Sequence, residues 1–445
     1  MSQLLIKNGK VIVGSDAQVE SVDLLVKNRV IVEIRPNIDA IELKKQNKNL
    51  TIIDASDKLV SPGFIQTHLH LCQTLFRGSA DDLELLDWLR LRVWPMEAAH
   101  NPASLAASAR LSVAELIKSG TTSALTMETV HHTDIVLETV ERTGFRATIG
   151  KCMMDKGHGV PARLSENTTD SLNASLDLLK SWHSNSGRVR YCFAPRFAIS
   201  CTQELLETIS KIAQENNVLI HTHASENRRE IELVESETGL RNVEYLQKVG
   251  LAGKNIALAH CIHVDEREQQ ILAETGTHVL HCPSSNLKLG SGIAPVTEML
   301  ERGVSVSIGA DGAPCNNNLD IFKEMRLSAL LQKMRYGPTA LLAKKAFYLA
   351  TLAGAKALGL EKEIGSIEVG KCADVIIVNL NNLHCTPTPD LLSTLVYSAN
   401  ASDVETVIID GQIVMHNREL KSMDEKEIIA IAHKEYYQLV SRAGL

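Results

Sequence analysis

Through the middle of the chain, short β-branched runs alternate with longer segments of helical periodicity, the pattern of repeated βα units and a parallel sheet. Eight strand-like runs can be counted, at residues 63–70, 122–127, 146–151, 189–195, 218–223, 256–260, 278–283 and 304–311. Helical segments such as 102–119, 203–215 and 266–274 separate them. Eight such units within roughly 300 residues predict an α/β fold of the (β/α)8 TIM-barrel type with one or two long loops. The longest insertion, 71–101, follows the first strand and carries Trp88 and Trp94. Loops at that position face the active-site end of a barrel, so a substrate lid containing Trp88 is expected there.

The two ends of the chain share a different pattern. Leu4-Leu5-Ile6-Lys7-Asn8-Gly9-Lys10-Val11-Ile12-Val13 sets Asn-Gly between two apolar runs, and Thr406-Val407-Ile408-Ile409-Asp410-Gly411-Gln412-Ile413-Val414-Met415 repeats the plan with Asp-Gly. Both read as β-hairpins with tight turns. Two-stranded hairpins are marginal alone, so the two ends are expected to join in one small β-sandwich. Segments 24–28, 30–34 and 373–378 supply further strands. The expected organisation is residues 1–59 as the N-terminal part of the sandwich, 60–365 as the barrel, and 366–445 as the C-terminal part plus a terminal helix.

Composition narrows the function classes. A length of 445 residues accommodates one large domain and a smaller one. The net charge of -7 argues against a nucleic-acid or anionic-membrane partner and leaves a small-molecule substrate as the expectation. The one basic run, Lys44-Lys45-Gln46-Asn47-Lys48, reads as a solvated loop. Nine scattered cysteines include no C-x-x-C pair, so neither a thiolate zinc site nor a disulfide framework is indicated. The first residues lack the apolar stretch of a signal peptide, and no segment reaches the roughly 18 apolar residues of a membrane span. A reduced cytoplasmic compartment is expected.

Among the sixteen histidines, placement matters more than number. His68 and His70 form H-x-H at the tip of the first strand, where period two points both side chains to one face. His223 ends the fifth strand, His260 the sixth, and Asp311 the eighth. A barrel assembles its site at those tips. Imidazole and carboxylate ligands without thiolate suit Zn2+, with Fe2+ as the competitor. A bound divalent ion lowers the pKa of a water to roughly 7, supplying hydroxide near neutrality. Displacing an exocyclic amine from an aromatic ring also needs a proton for a ring nitrogen, and Glu226, three residues after His223, is placed to give it. His221 shares the face of His223 one layer deeper and reads as a hydrogen-bonded core residue. His263, His278 and His281 are left as second-layer partners of the site, and His131-His132 as a pair at the pocket mouth.

These motifs resemble the amidohydrolase superfamily. The stretch 61–70, Ser61-Pro62-Gly63-Phe64-Ile65-Gln66-Thr67-His68-Leu69-His70, is similar to its first-strand motif; His223-x-x-Glu226, Ala259-His260-Cys261 and Gly309-Ala310-Asp311-Gly312 are similar to later ones. The stretch 281–296, beginning His281-Cys282-Pro283-Ser284-Ser285-Asn286, resembles the branch containing methylthioadenosine/S-adenosylhomocysteine deaminases, 5′-deoxyadenosine deaminases and s-triazine hydrolases. The resemblance runs end to end. It implies one divalent metal held by His68, His70, His223 and Asp311. It further implies that His260 handles the attacking water with Asp311 sharing its proton, and that Glu226 protonates the ring. Homo-oligomers are common among such enzymes, and one is expected here.

For the substrate, the resemblance puts Glu97 at the ribose hydroxyls and Lys151 and Arg163 where relatives carry two arginines for a homocysteine carboxylate. Lys cannot make the planar bidentate contact of Arg. Arg196 stands where some relatives have a histidine at the nucleoside. The leading expectation is hydrolytic deamination of an adenosine-like nucleoside, of the 5′-deoxyadenosine, methylthioadenosine or S-adenosylhomocysteine class, releasing ammonia. The alternatives are guanine or 8-oxoguanine deamination and s-triazine hydrolysis at the same metal site. A binuclear amide hydrolase such as a dihydropyrimidinase would want a lysine at the fourth strand's tip, where Phe193-Ala194-Pro195-Arg196 stands. A catalytically inert member would have lost ligands, and all six residues of the set are present.

Overall fold

The computed structural model describes residues 2–157, 159–183 and 187–445. The chain opens with β1 (Gln3–Lys7), β2 (Lys10–Val13), β3 (Gln18–Ser21), β4 (Asp23–Lys27), β5 (Val30–Arg35), β6 (Leu50–Asp54) and β7 (Leu59–Pro62). Eight strands separated by helices follow: β8 (Phe64–Leu69), β9 (Thr121–Met127), β10 (Arg146–Met153), β11 (Val189–Pro195), β12 (Ile220–Ala224), β13 (Ile256–His260), β14 (His278–His281) and β15 (Ser305–Ile308). The chain returns to antiparallel structure in β16 (Val375–Val378), β17 (Val404–Ile409), β18 (Gln412–His416) and β19 (Glu419–Leu420), and ends in the helix Glu425–Ala443.

Strands β8 to β15 pair in sequence order, each parallel to the next. The ends of this sheet meet: the Asp311 N–H donates to the His68 carbonyl at 2.9 Å, and Thr67 Oγ1 bonds both Ser307 Oγ at 2.9 Å and the Ile308 carbonyl at 3.1 Å. The sheet is the (β/α)8 barrel expected from the alternating pattern. Its seam depends on a glycine. A Cβ at Gly309 would stand 2.6 Å from His68 N and 2.7 Å from His68 O, distances that backbone cannot yield to.

Local chemistry sets the helix starts. Asn101 accepts from the Ser104 N–H and Pro102 follows at the first helical position, so the helix Pro102–Lys118 begins where its orphan donors are met. The terminal helix is capped by Asp424 and packs on Pro102–Lys118, with Arg442 Nε donating to the Ala99 carbonyl. Strands seven and eight stop earlier than the pattern suggests. Pro283 opens the short helix Pro283–Lys288, and Asp311 adopts a left-handed conformation that leaves the ladder.

The β-domain corrects one expectation. The two runs flanking Asn8-Gly9 are not a hairpin. Strand β1 lies in a four-stranded sheet of order β5-β4-β1-β6, whereas β2 lies in a seven-stranded sheet of order β19-β18-β17-β16-β7-β2-β3. The Asn8 N–H donates to Asp23 Oδ1 and its side-chain amide to Asp54 Oδ1, so the turn is tied to β4 and β6 and not to a cross-strand partner. The chain crosses here between the two layers of the sandwich. Leu4 and Ile6 of one sheet then share a core with Val11, Val60, Val375 and Ile408 of the other. The Asp410-Gly411 turn does form a hairpin, with β17 antiparallel to β18 and both turn residues at positive φ, as a type I′ turn requires.

Sandwich and barrel are joined by buried charge. Arg146 at the start of β10 reaches Asp374 through two bonds of 2.7 and 3.0 Å and Asp410 through a third of 3.0 Å. All nine cysteines are free and buried. Among the described residues no helix is long and apolar enough to cross a membrane. Gly309→Ala is expected to lower stability by about 1–3 kcal/mol, the cost of overpacking, and to reduce metal uptake by displacing His68. Denaturant unfolding and metal analysis that both match the parent would contradict this reading of the seam.

Candidate active site

The five strand-tip residues singled out by pattern converge at one end of the barrel. The His68, His70 and His223 ligand nitrogens lie within 4.8 Å of one another, as do those of His68 and His260 with the Asp311 carboxylate. Asp311 Oδ1 is 3.2 Å from the Nε2 of both His68 and His70. His260 Nε2 stands 3.9 Å from Asp311 Oδ2 and 3.4 Å from Glu226 Oε2. Each of these side chains is buried.

The other edge of every ring is anchored, which fixes where Nε2 points. His70 Nδ1 bonds the Met127 carbonyl and His223 Nδ1 the Arg196 carbonyl, both at 2.7 Å. A carbonyl only accepts, so Nδ1 carries the proton and Nε2 presents a lone pair inward. His260 Nδ1 meets Asn286 Oδ1 at 2.8 Å and His68 Nδ1 meets His221 Nε2 at 2.7 Å. Phe197 stacks on the His223 ring with centroids 4.6 Å apart.

Burial and charge set the protonation states. Burial pushes His68 down to about 4 and His223 well below the usual imidazole value. Burial also raises Asp311, but the His68 and His70 rings outweigh it and hold the carboxyl well below its ordinary range. Glu226 moves the opposite way: burial, then the Asp311 and Glu230 charges, raise it well above 4.5. His260 is lowered, by burial first. His70 differs from the other rings: burial lowers it, but the hydrogen bond and charge of Asp311 outweigh that and raise it. The site thus favours neutral His68, His223 and His260, an ionised Asp311 and a protonated Glu226.

A divalent cation fits this arrangement. His68 Nε2 and His260 Nε2 are buried without a hydrogen-bond partner among the described residues. Three imidazole nitrogens and a carboxylate oxygen are the donor set of zinc or iron, and no thiolate joins them. The backbone is strained where these groups emerge. Ser225, His260, Cys261 and Asp311 all have positive φ, held by Cys261 N–H to Ala224 O, Ile262 N–H to Ser225 O and Asp311 N–H to His68 O.

The residues expected at the substrate divide. Glu97 and Arg196 come together in a buried bidentate pair, Arg196 Nη1 to Glu97 Oε2 at 2.5 Å and Nη2 to Oε1 at 3.2 Å, and Gln73 also donates to Glu97 Oε1. Lys151 is engaged: its Nζ lies 2.8 and 2.7 Å from the two oxygens of Glu166, all buried. Arg163 is exposed, and its carbonyl accepts from His131. Lys151 and Arg163 are thus not brought together as a cation pair open to a carboxylate. The insertion after β8 is packed. Trp88 and Trp94 are buried in one cluster with Phe76, Met127, Cys152 and Phe197, each with its indole N–H unpartnered among the described residues.

Sequence reasoning read His221 as a hydrogen-bonded core residue, which it is, and assigned no orienting role to Asn286, Ser285 or Glu230. His221 supports His68, Asn286 supports His260, and Ser285 Oγ donates to Asp311 Oδ2 at 2.6 Å. Glu230 accepts from the backbone N–H of Glu226 and fixes its position. The period-two offset of His221 from His223 was a usable signal, and Ser285-Asn286 lay inside a motif that carried no assigned role. His278 bonds Ser305 Oγ and the Lys254 carbonyl where β14 begins, at the barrel end opposite His68 and Asp311. His263 Nε2 bonds the Ser291 carbonyl. His281 is buried with both ring nitrogens unpartnered among the described residues, and burial lowers it to about 3.

Barrel, ligand set and acid–base pair define a metal-dependent hydrolase. The model of the Amidohydrolase family matches residues 59–414, and the chain belongs to that family. It is 42% identical over 384 residues to a 5′-deoxyadenosine deaminase of Methanothermobacter thermautotrophicus, covering 86% of this chain and 88% of that one. It is 41% identical over 394 residues to a 5-methylthioadenosine/S-adenosylhomocysteine deaminase of Syntrophomonas wolfei, covering 88% and 89%. The solved structure of an adenosine deaminase from Xanthomonas campestris with bound zinc superposes with a TM-score of 0.91 at 32% identity over 98% of both chains.

His221→Ala should weaken metal affinity by about 10–100-fold, the usual effect of removing a partner that orients a ligand, with the fold retained. Competition against a chelator measures this. An unchanged affinity would mean that His68 is oriented by something else.

Proposed function

We propose that the protein hydrolyses the exocyclic amine from the purine of an adenosine-like nucleoside. The observation that carries this is the pairing of Glu226, kept protonated, with His260, kept neutral, 3.4 Å apart beside Asp311. Two titratable groups pushed apart by their surroundings mark an acid and a base. When bound by His68, His70, His223 and Asp311, zinc (with iron as the second choice) supplies Lewis acidity that makes a water nucleophilic at neutral pH.

The chain's own residues do the rest. His260 Nε2 takes a proton from the attacking water, and Asp311 Oδ2, held by Ser285, shares it. Glu226 gives its proton to the ring nitrogen that becomes basic as the carbon is attacked. Returned protons then convert the amine to ammonia, leaving an oxo-purine. Burial of this acid–base pair excludes bulk water and strengthens each of these interactions.

The relatives support a nucleoside with a modified 5′ position. The engaged Lys151 and the exposed Arg163 support a small uncharged 5′ group, as in 5′-deoxyadenosine or methylthioadenosine, over the homocysteine tail. Glu97 is the group we assign to the ribose hydroxyls, with Arg196 and Gln73 orienting its carboxylate. That saturation also favours a second reading, in which Arg196 faces a base rich in acceptors, such as guanine, and no ribose is bound.

Ammonia release from 5′-deoxyadenosine and methylthioadenosine, with the ultraviolet shift to hypoxanthine, is expected of the metal-loaded protein; activity confined to guanine would select the second reading. Glu226→Gln should lower turnover by about 10²–10⁴-fold with metal content intact; loss of the metal would make Glu226 a ligand instead. Glu97→Ala should raise KM for nucleosides far more than for adenine, and equal effects would remove its ribose role.

A further inference from the structure

Away from the barrel mouth, the connection between β16 and β17 brings together three side chains that the proposed reaction does not use. His384 and Cys385 follow β16, and Asp403 closes the turn Ala401–Asp403 that leads into β17. Their ligand atoms, one imidazole nitrogen, one thiol sulfur and one carboxylate oxygen, all lie within 4.8 Å of one another. Cys385 and Asp403 are buried, while the His384 side chain is 44% exposed and leaves a route from solvent.

The carboxylate is already held in place. Asp403 Oδ1 accepts from Asn382 Nδ2 at 2.8 Å and Oδ2 from the Asn400 N–H at 2.9 Å. Metal-ligating carboxylates are supported in this way. The imidazole, by contrast, is in conflict. His384 Nε2 lies 2.9 Å from Asp403 Oδ2, an acceptor, and 3.1 Å from Asn400 Nδ2, a donor. Turning the Asn400 amide over does not relieve this, because its Oδ1 already accepts from the Ser402 N–H and hydroxyl. A protonated Nε2 faces the amide donor, and a bare Nε2 faces the carboxylate with its lone pair. A cation between Nε2 and Oδ2 takes the imidazole lone pair and the carboxylate oxygen together and leaves the solvent-facing Asn400 amide N–H to water.

We infer that His384, Cys385 and Asp403 form a second metal site, separate from the catalytic centre, for a borderline-soft divalent ion such as Zn2+ or Co2+, with a water completing a tetrahedron. Nitrogen and sulfur donors select such ions over Mg2+ or Ca2+. Bonds of about 2.0–2.3 Å place the ligand atoms of a tetrahedral zinc site about 3.3–3.8 Å apart. His384 Nε2 and Asp403 Oδ2, 2.9 Å apart, therefore open by a few tenths of an ångström on binding. On binding, the Cys385 S–H proton goes to solvent and a metal–sulfur bond forms; no electron is transferred. The ion would pin the start of the β16–β17 connection to its end. The helix Leu391–Tyr397 between them buries Leu395 and Val396 in the barrel's main core.

The test is titration of the full-length, chelator-stripped protein with Co2+, following bound equivalents and the near-ultraviolet thiolate-to-cobalt absorption. Two equivalents are expected. The thiolate band should accompany one of them only, since the His68, His70, His223 and Asp311 cluster contains no sulfur. His384→Ala and Cys385→Ser should each lose that equivalent and the band, while keeping the other equivalent and ammonia release. His384 is half exposed, so its variant carries the test if the buried cysteine change impairs folding. A single equivalent without a thiolate band, or a band that persists in His384→Ala, would overturn the assignment.

Discussion

Four imidazoles gathered with one carboxylate in a water-poor barrel end constrain everything else in this molecule. Every ring is turned so that Nε2 faces the others, by anchors on Nδ1 contributed by backbone carbonyls, an asparagine and a further histidine. Converging lone pairs repel one another, and burial disfavours protonation of His68, His223 and His260, while Asp311 favours it at His70 alone. A divalent cation resolves the conflict that a single Asp311 carboxylate resolves only in part.

The barrel makes that arrangement stable. Each of these side chains sits on a barrel strand or on the loop just beyond it, with His68 and His70 together at the end of β8, so its position is fixed by ladders that extend through the core. The seam between β15 and β8 is tight enough to demand glycine, and it brings Asp311 against the His68 backbone. Left-handed residues cluster at the tips of β12, β13 and β15, where each strained conformation costs on the order of 1–3 kcal/mol and is held by neighbouring hydrogen bonds. The same desolvation that favours neutral His68, His223 and His260 rings also favours the protonated form of Glu226. The proposed metal binding and proton donation would thus have one physical origin.

Much of this was legible in the sequence because barrel strands carry their chemistry at predictable places. The H-x-H pair, the strand-end His223 and His260, and Asp311 followed from period-two geometry and from counting strands. The misread Asn8-Gly9 turn shows the limit of such patterns. Two apolar runs around a tight turn look the same whether they pair edge to edge or face each other across a sandwich. Only the tertiary partners Asp23 and Asp54 distinguish the cases. Lys151 failed as an open cation for a related reason: its partner Glu166 is fifteen residues away on a loop with no periodicity. The orienting roles of Ser285 and Asn286 were hidden because these residues act on other side chains and leave no spacing of their own, whereas the period-two offset of His221 marked it as a hydrogen-bonded core residue.

The central claim is that one cation sits where these lone pairs converge. Anomalous diffraction from crystals of the protein loaded with a single equivalent of zinc tests it most directly. The account predicts one strong peak within bonding distance of His68 Nε2, His70 Nε2, His223 Nε2 and an Asp311 oxygen. A cavity there without a peak, or zinc bound by other residues at that stoichiometry, would contradict it.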